Sequence, residues 1–149
     1  MNKKGVTLME LIVVFVIIAI AAGLIAPSIG SWLPRYRLRS ATRDIVSTLR
    51  DAQMKAVSNR MLYQIDFTAD SYILRHTSAG VLLDDWPARR IPSGITVNND
   101  FPLNTAAFNF DSTCPSGGTV TLSYQKGGVT QAQKRIVLYA ATGRVRIDE

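Results

Sequence analysis

A few charged side chains stand out by where they sit. Glu10 borders an apolar run, and no charged residue occurs from Leu11 to Leu33. A carboxylate at the edge of such a run is expensive in lipid and marks a function that involves a partner. Near the other end of the chain, Gly143 precedes Arg144 and Arg146, which flank Val145. Residues two apart in a strand point to the same side. The two guanidiniums then project together about 7 Å apart, with Val145 facing inward, and can straddle adjacent phosphates through bidentate bonds. Gly143 permits the tight turn that presents them. Lys134 and Arg135 open the preceding strand and are candidates for the same patch. Spacing by itself favours the plainer alternative, an edge strand whose arginines face water and block edge pairing.

Other reactive side chains form no constellation. There is one histidine, His76, and one cysteine, Cys114. No His, Cys and carboxylate cluster has metal spacing, and the chain lacks a GxSxG elbow, a phosphate loop and a paired-His motif. No enzymatic activity, cofactor or metal is expected. Cys114 has no internal disulfide partner and is expected to be buried as a small hydrophobe. Trp86, beside Asp84 and Asp85, reads as a core or loop anchor, and His76 as an ordinary strand residue. Arg35, Arg37, Arg39 and Arg43 read as a solvated helix face.

The elements that position these residues follow from periodicity. The chain has 149 residues and a formal charge of +6, which suits one domain plus one apolar helix. A basic surface is compatible with nucleic acid or anionic headgroups without specifying either. The apolar run is long enough to span a bilayer, which takes roughly 20 helical residues. Beyond it Leu38, Ala41, Ile45, Leu49, Ala52 and Ala56 recur at three- and four-residue steps, the mark of an amphipathic helix. Helix is expected from about Thr7 to Ser58, with a bend or loosened turn near Gly30–Pro34 and an end at Asn59 and Arg60. The period then changes to two. Tyr63, Ile65 and Phe67 pair with Tyr72 and Leu74 across an Ala69-Asp70 turn. Further strands are expected at Ile95 and Val97, at Phe108 and Phe110, at Val120 to Tyr124, at Ile136 to Tyr139, and at Arg144 to Ile147. Turns fall at Lys126-Gly127-Gly128 and Thr142-Gly143. The fold class is α+β: a long N-terminal helix packed on an antiparallel, β-rich C-terminal domain.

The start MNKKGVTLMELIVV departs from a secretory signal, whose apolar core is shorter and whose small residue follows that core. It resembles the class III leader of type IV pilins and pseudopilins. That resemblance implies cleavage after Gly5 by a prepilin peptidase, N-methylation of Val6, and an assembly role for Glu10, paired with the amine of a neighbouring subunit. In low dielectric such a pair is favoured over either charge alone. Pro27 falls where pilin helices commonly carry a proline. The C-terminal stretch, FNFDSTCPSGG through KRIVLYAATGRVRIDE, resembles the FimT/GspH family of minor pilins and pseudopilins. In the FimT branch, found in competence pili, a GRxR motif is associated with DNA binding. It maps onto Gly143, Arg144 and Arg146.

The resemblance implies residues 1–5 as leader, 6–33 as transmembrane and assembly helix, 34–60 as amphipathic stem, and 61–149 as a periplasmic domain. The expected protein is a minor pilin, anchored by one pass in the inner membrane and built into a type IV pilus, with double-stranded DNA as a candidate ligand. The alternative is a type II secretion pseudopilin that contacts partner pseudopilins or secreted substrate and binds no DNA. Charge placement alone, with arginines following the apolar run, would put the C-terminal side in the cytoplasm. The leader resemblance implies the opposite orientation.

Overall fold

The structure is a computed structural model that describes residues 7–148, with the side chains of 24–31 outside the description. The chain divides into two compact units, Met1–Pro34 and Arg35–Glu149.

Helix α1 runs from Leu8 to Asn59. Thr7 caps it: its hydroxyl accepts the Glu10 backbone N–H at 3.2 Å, and its carbonyl accepts from Leu11. The helix closes where Arg60 takes a left-handed φ of 51° and Met61 N–H returns to the Ala56 carbonyl, the 6→1 bond of a Schellman ending. Helical backbone continues through Gly30–Pro34, so the loosened turn expected there does not form.

In the first unit the apolar side chains from Leu8 to Ile20 are exposed all round the helix, Leu8 at 77% and Phe15 at 62%. Among the described residues no helix is long and apolar enough to cross a membrane. The described side chains of the apolar run stop at Gly23, short of the roughly 20 residues a span needs.

In the second unit the stem of α1 buries one stripe, Leu38, Ala41, Ile45, Leu49, Ala52 and Ala56, joined by Val46. The alanines let the strands come close. Thr42 and Thr48 are buried too, and each hydroxyl donates back to the carbonyl four residues earlier, at 2.8 and 2.9 Å, which leaves neither unsatisfied.

Among the described residues nine strands follow: β1 Tyr63–Phe67, β2 Ser71–Ser78, β3 Val81–Asp84, β4 Arg89–Arg90, β5 Ile95–Asn99, β6 Thr105–Phe108, β7 Gly118–Lys126, β8 Val129–Leu138 and β9 Val145–Asp148. They form two antiparallel sheets. One has the order β3-β2-β1-β6, with β4 also paired to β2, and the other the order β5-β7-β8-β9. Ile65, Leu74 and Phe108 from the first sheet and Val120, Leu122, Ile136 and Leu138 from the second join the stem stripe in one core. On the outer face of the first sheet Arg75 holds Asp66 and Asp84, each at 2.7 Å, and Thr105 and Gln64 donate to Asp66. The guanidinium ties β2 to β1 and β3, and Asp66 extends the link to β6.

Two differences from the sequence expectation have local causes. Phe110 lies outside β6 and is 64% exposed, because the chain turns at Asn109, whose carbonyl accepts from Ser112 and whose N–H donates to Thr113. Strands β3 and β4 were not expected. β3 is created by the two-residue Ala79-Gly80 turn, with φ of 50° and 79°, the twist-compatible hairpin geometry.

Candidate assembly helix and nucleic-acid interface

Gly5 and Val6, the expected cleavage and methylation positions, lie outside the described residues, as does the side chain of Pro27. Glu10 is the third residue of α1 and exposed. Thr7 and Glu10 have the Ser/Thr-x-x-Glu spacing of a capping box, and a carboxylate in the first turn also complements the helix dipole. The Thr7 cap holds the Glu10 backbone N–H, and the Glu10 side chain sits at the end of the helix where a negative charge is favoured. That signal was present in the sequence as T-L-M-E.

At the C-terminal end, β8 and β9 pair with Arg135 opposite Asp148, Ile136 opposite Ile147, Val137 opposite Arg146 and Leu138 opposite Val145. Ile136 and Leu138 are buried, so Val145 and Ile147 share their core face, and Arg146, Asp148, Arg135 and Val137 share the outer one. Arg144 precedes β9 at the turn, and both it and Arg146 are exposed. Arg146 Nε lies 2.8 Å from Asp148 Oδ1, so part of its charge is already matched. The turn is closed by Gly143 N–H to the Tyr139 carbonyl at 2.8 Å and Tyr139 N–H to the Arg144 carbonyl at 3.0 Å.

Lys134 and Arg135 do not share a patch. Neighbouring strand residues point to opposite faces. Arg135 is exposed on the outer face beside Arg146. Lys134 turns to the helix side, where it lines a cavity of about 370 Å³ with Arg39, Thr42, Arg43 and Ile147. The set expected from sequence thus divides: Arg135 and Arg146 share the outer face, Arg144 is exposed at the turn before β9, and Lys134 lies on the other side.

A second polar cluster was not anticipated. Lys55 bonds Asp85, lies 3.7 Å from Asp51 and 4.6 Å from the Trp86 ring centre. Arg89 stacks on the same ring at 4.3 Å. His76 Nδ1 sits 3.2 Å from Asp85 Oδ1, and its ring stacks on Tyr63. Burial lowers the Lys55 ammonium, but the hydrogen bond and charge of Asp85 and the charge of Asp51 outweigh it, and the group is raised above its ordinary value. The cluster fastens the stem to the segment around Trp86. Cys114 is buried, its Sγ 2.9 Å from the Ser116 carbonyl, and burial pushes its thiol up. Among the described residues no group of His, Cys, Asp and Glu is arranged to hold a metal ion.

Comparison with known proteins gives this geometry a context. Residues 1–26 match the prokaryotic N-terminal methylation motif. No curated protein matches the chain in sequence. Among solved structures, the type IV minor pilin FimU of Pseudomonas aeruginosa is similar at 17% identity and a TM-score of 0.63, over 77% of this chain and 90% of that one. The minor pseudopilin EpsH of the Vibrio cholerae type 2 secretion system is similar at 12% identity and a TM-score of 0.61, over 72% of this chain and 92% of that one. The chain therefore joins a prepilin-type N-terminal methylation motif to the α+β fold of the type IV minor pilins and minor pseudopilins.

Proposed function

We propose that this protein is a minor pilin, cut after Gly5, methylated at Val6 and packed into a type IV pilus through α1. The observation that carries the reading is the methylation motif leading into a helix whose described apolar side chains, Leu8 to Ile20, are exposed all round. So much unpartnered apolar surface is unstable in water and is covered by lipid before assembly and by neighbouring helices after it. Glu10 pairs with the methylated amine of an adjacent subunit, a charge pair that sets register in the apolar bundle. The β-rich domain stays on the periplasmic side and then on the filament surface.

The same reading gives the outer arginines a ligand. Arg144, Arg146 and Arg135 contact phosphates of double-stranded DNA, with no base reading and with strong salt dependence. Their support is exposure and the outer face that Arg135 and Arg146 share. The pseudopilin reading draws on the likeness to EpsH and on the Asp148 carboxylate that already occupies Arg146. It keeps the processing and the packing and drops the DNA.

Co-expression with a prepilin peptidase tests the core of the proposal. Mass spectrometry should find a chain starting at N-methylated Val6, and Gly5 replacement should block it. Cleavage after Ala22 or Ala26 would mean a conventional signal peptide and end the reading.

A further inference from the structure

The outer face of the second sheet carries a polar groove. Val120 and Leu122 of β7 are buried, so Thr119 and Thr121 point outward between them. Asn98 on β5 and Arg135 on β8 stand opposite Thr121 from its two sides. Short hydroxyl side chains thus form a floor, and longer polar ones flank it. With Asn99 and Asp100 they line a groove of about 330 Å³, within the range of small-molecule sites, about 300–1,000 Å³. The Asp100 side is fixed by backbone. Asp100 N–H donates to the Thr119 carbonyl at 3.2 Å, and Asp100 Oδ1 accepts the Thr119 N–H in return. Gly118 leaves room for this pairing: a Cβ there would lie 2.8 Å from Asp100 Oδ1 and nearer still to the Phe101 ring. Asn99 Oδ1 accepts the Phe101 N–H at 3.3 Å and holds the chain where β5 ends. Among the described residues Asp100 Oδ2 has no hydrogen-bond partner.

The charges decide what fits. Asp100 and Arg135 line the same groove, and among the described residues neither belongs to an ion pair. A phosphate drawn to Arg135 meets the Asp100 carboxylate, and a cation drawn to Asp100 meets the guanidinium. An apolar ligand would strip water from both charges and from the amide and hydroxyls without replacing it. A carboxylate only accepts, a guanidinium only donates, and amides and hydroxyls do both. A neutral ligand that donates and accepts at closely spaced points therefore meets every group present. Neighbouring hydroxyls on a sugar ring have that property: an O–H gives to Asp100 Oδ2 while its own oxygen, or the next one, takes from Arg135 or Asn98. We propose that this groove binds a neutral saccharide. A peptide backbone also donates and accepts, but it adds to a sheet through a free strand edge, and β7 is paired on both sides by β5 and β8. The groove is open and its contacts are polar, so affinity per saccharide is modest and includes bonds through water. The site stands apart from the assembly reading and shares only Arg135 with the arginines proposed to hold DNA.

The test uses the full ¹⁵N-labelled chain in micelles of an uncharged detergent without sugar headgroups. Maltotetraose or chitotetraose, titrated into the millimolar range, should shift the Asn98 side-chain amide and Arg135 Nε signals. Polyethylene glycol of similar length, whose chain oxygens accept but cannot donate, should not. Asn98→Ala with Arg135→Gln, followed through the Thr119 and Thr121 amides, should weaken the response about tenfold or more. Asp100→Asn keeps an oxygen for the Thr119 N–H and should also weaken the response, with a melting point within about 2 °C of the parent. Arg144→Ala with Arg146→Ala should leave the saccharide response unchanged. No shift with either saccharide would overturn the site, and so would a double variant at Asn98 and Arg135 that responds like the parent. Inorganic phosphate or a capped tetra-alanine peptide that shifts these signals where the saccharides do not would overturn the saccharide in favour of an anion or a peptide. A parent that responds to saccharide and binds no duplex would support this site while excluding the DNA edge.

Discussion

Gln53 Nε2 donates to Ser112 Oγ at 2.7 Å and reaches the Ser112 carbonyl at 3.2 Å, joining the stem helix to the turn that follows β6. Gly143 completes this junction. It is buried at a φ of 59°, and a Cβ on it would collide with the Ser112 carbonyl oxygen and lie 2.6 Å from Gln53 Nε2. The glycine of the GRVR segment is therefore required by packing, whatever the arginines beside it do.

Gly143→Ala should destabilise the folded domain by about 2–4 kcal/mol, from the left-handed backbone and the forced separation of the turn from Gln53. Arg144→Ala should cost within about 0.5 kcal/mol, as an exposed substitution does. Thermal unfolding of the two variants side by side checks the contrast. A Gly143→Ala melting point within about 2 °C of the parent would show that the junction contributes little.

Much of this was legible in the sequence, for identifiable reasons. The stem stripe from Leu38 to Ala56 is strictly periodic, and period-two alternation marked Tyr63–Phe67 and Val120–Tyr124. β3 was invisible because Val81, Leu82 and Leu83 are consecutive apolar residues without alternation, and only the Ala79-Gly80 turn makes them a strand. Lys134 and Arg135 look alike in sequence. Only the register opposite Leu122 and Thr121 assigns them to different faces. The pairing of Asp85 with both Lys55 and His76 joins residues far apart in the chain, and no local pattern encodes it.

Lys55 should make stability fall at alkaline pH. Its folded value is raised, so its contribution is complete below the unfolded lysine value of about 10.4 and is lost as pH rises through the higher folded value. The side chain is 30% exposed, and solvent screening keeps the effect modest. Melting points from pH 8 to 11.5 should fall more steeply for the parent than for Asp85→Asn, whose Lys55 lacks the charged partner. Parallel curves would mean that the pair adds nothing at alkaline pH.

Glu10 stands at the Thr7 cap and, in the proposed assembly, pairs with a neighbouring subunit. Glutamine also serves at the third position of a capping box, so Glu10→Gln keeps the capping-box pattern and removes the charge. Both Glu10→Gln and Glu10→Ala should enter filaments poorly, with membrane insertion and domain folding unchanged. If Glu10→Gln assembles like the parent while Glu10→Ala does not, helix capping and not charge pairing explains the residue.

The outer arginines make the final prediction. DNA binding by the full chain in uncharged micelles should be weak, indifferent to sequence and lost steeply with salt, because each phosphate contact releases a counterion. Arg144→Ala with Arg146→Ala should abolish a mobility shift at about 50 mM salt, where phosphate contacts are still strong, and should lower the melting point by no more than a few degrees. Asp148 sharpens the test. Its carboxylate lies 2.8 Å from Arg146 Nε and would also repel an approaching phosphate. Asp148→Asn should therefore tighten binding severalfold, since removing one unfavourable charge near the surface is worth roughly 1 kcal/mol. A parent that binds no duplex at low salt, or a double variant that binds as well as the parent, would exclude DNA capture through this edge. The pseudopilin reading, with the same fold and the same helix packing, would then be the one that fits.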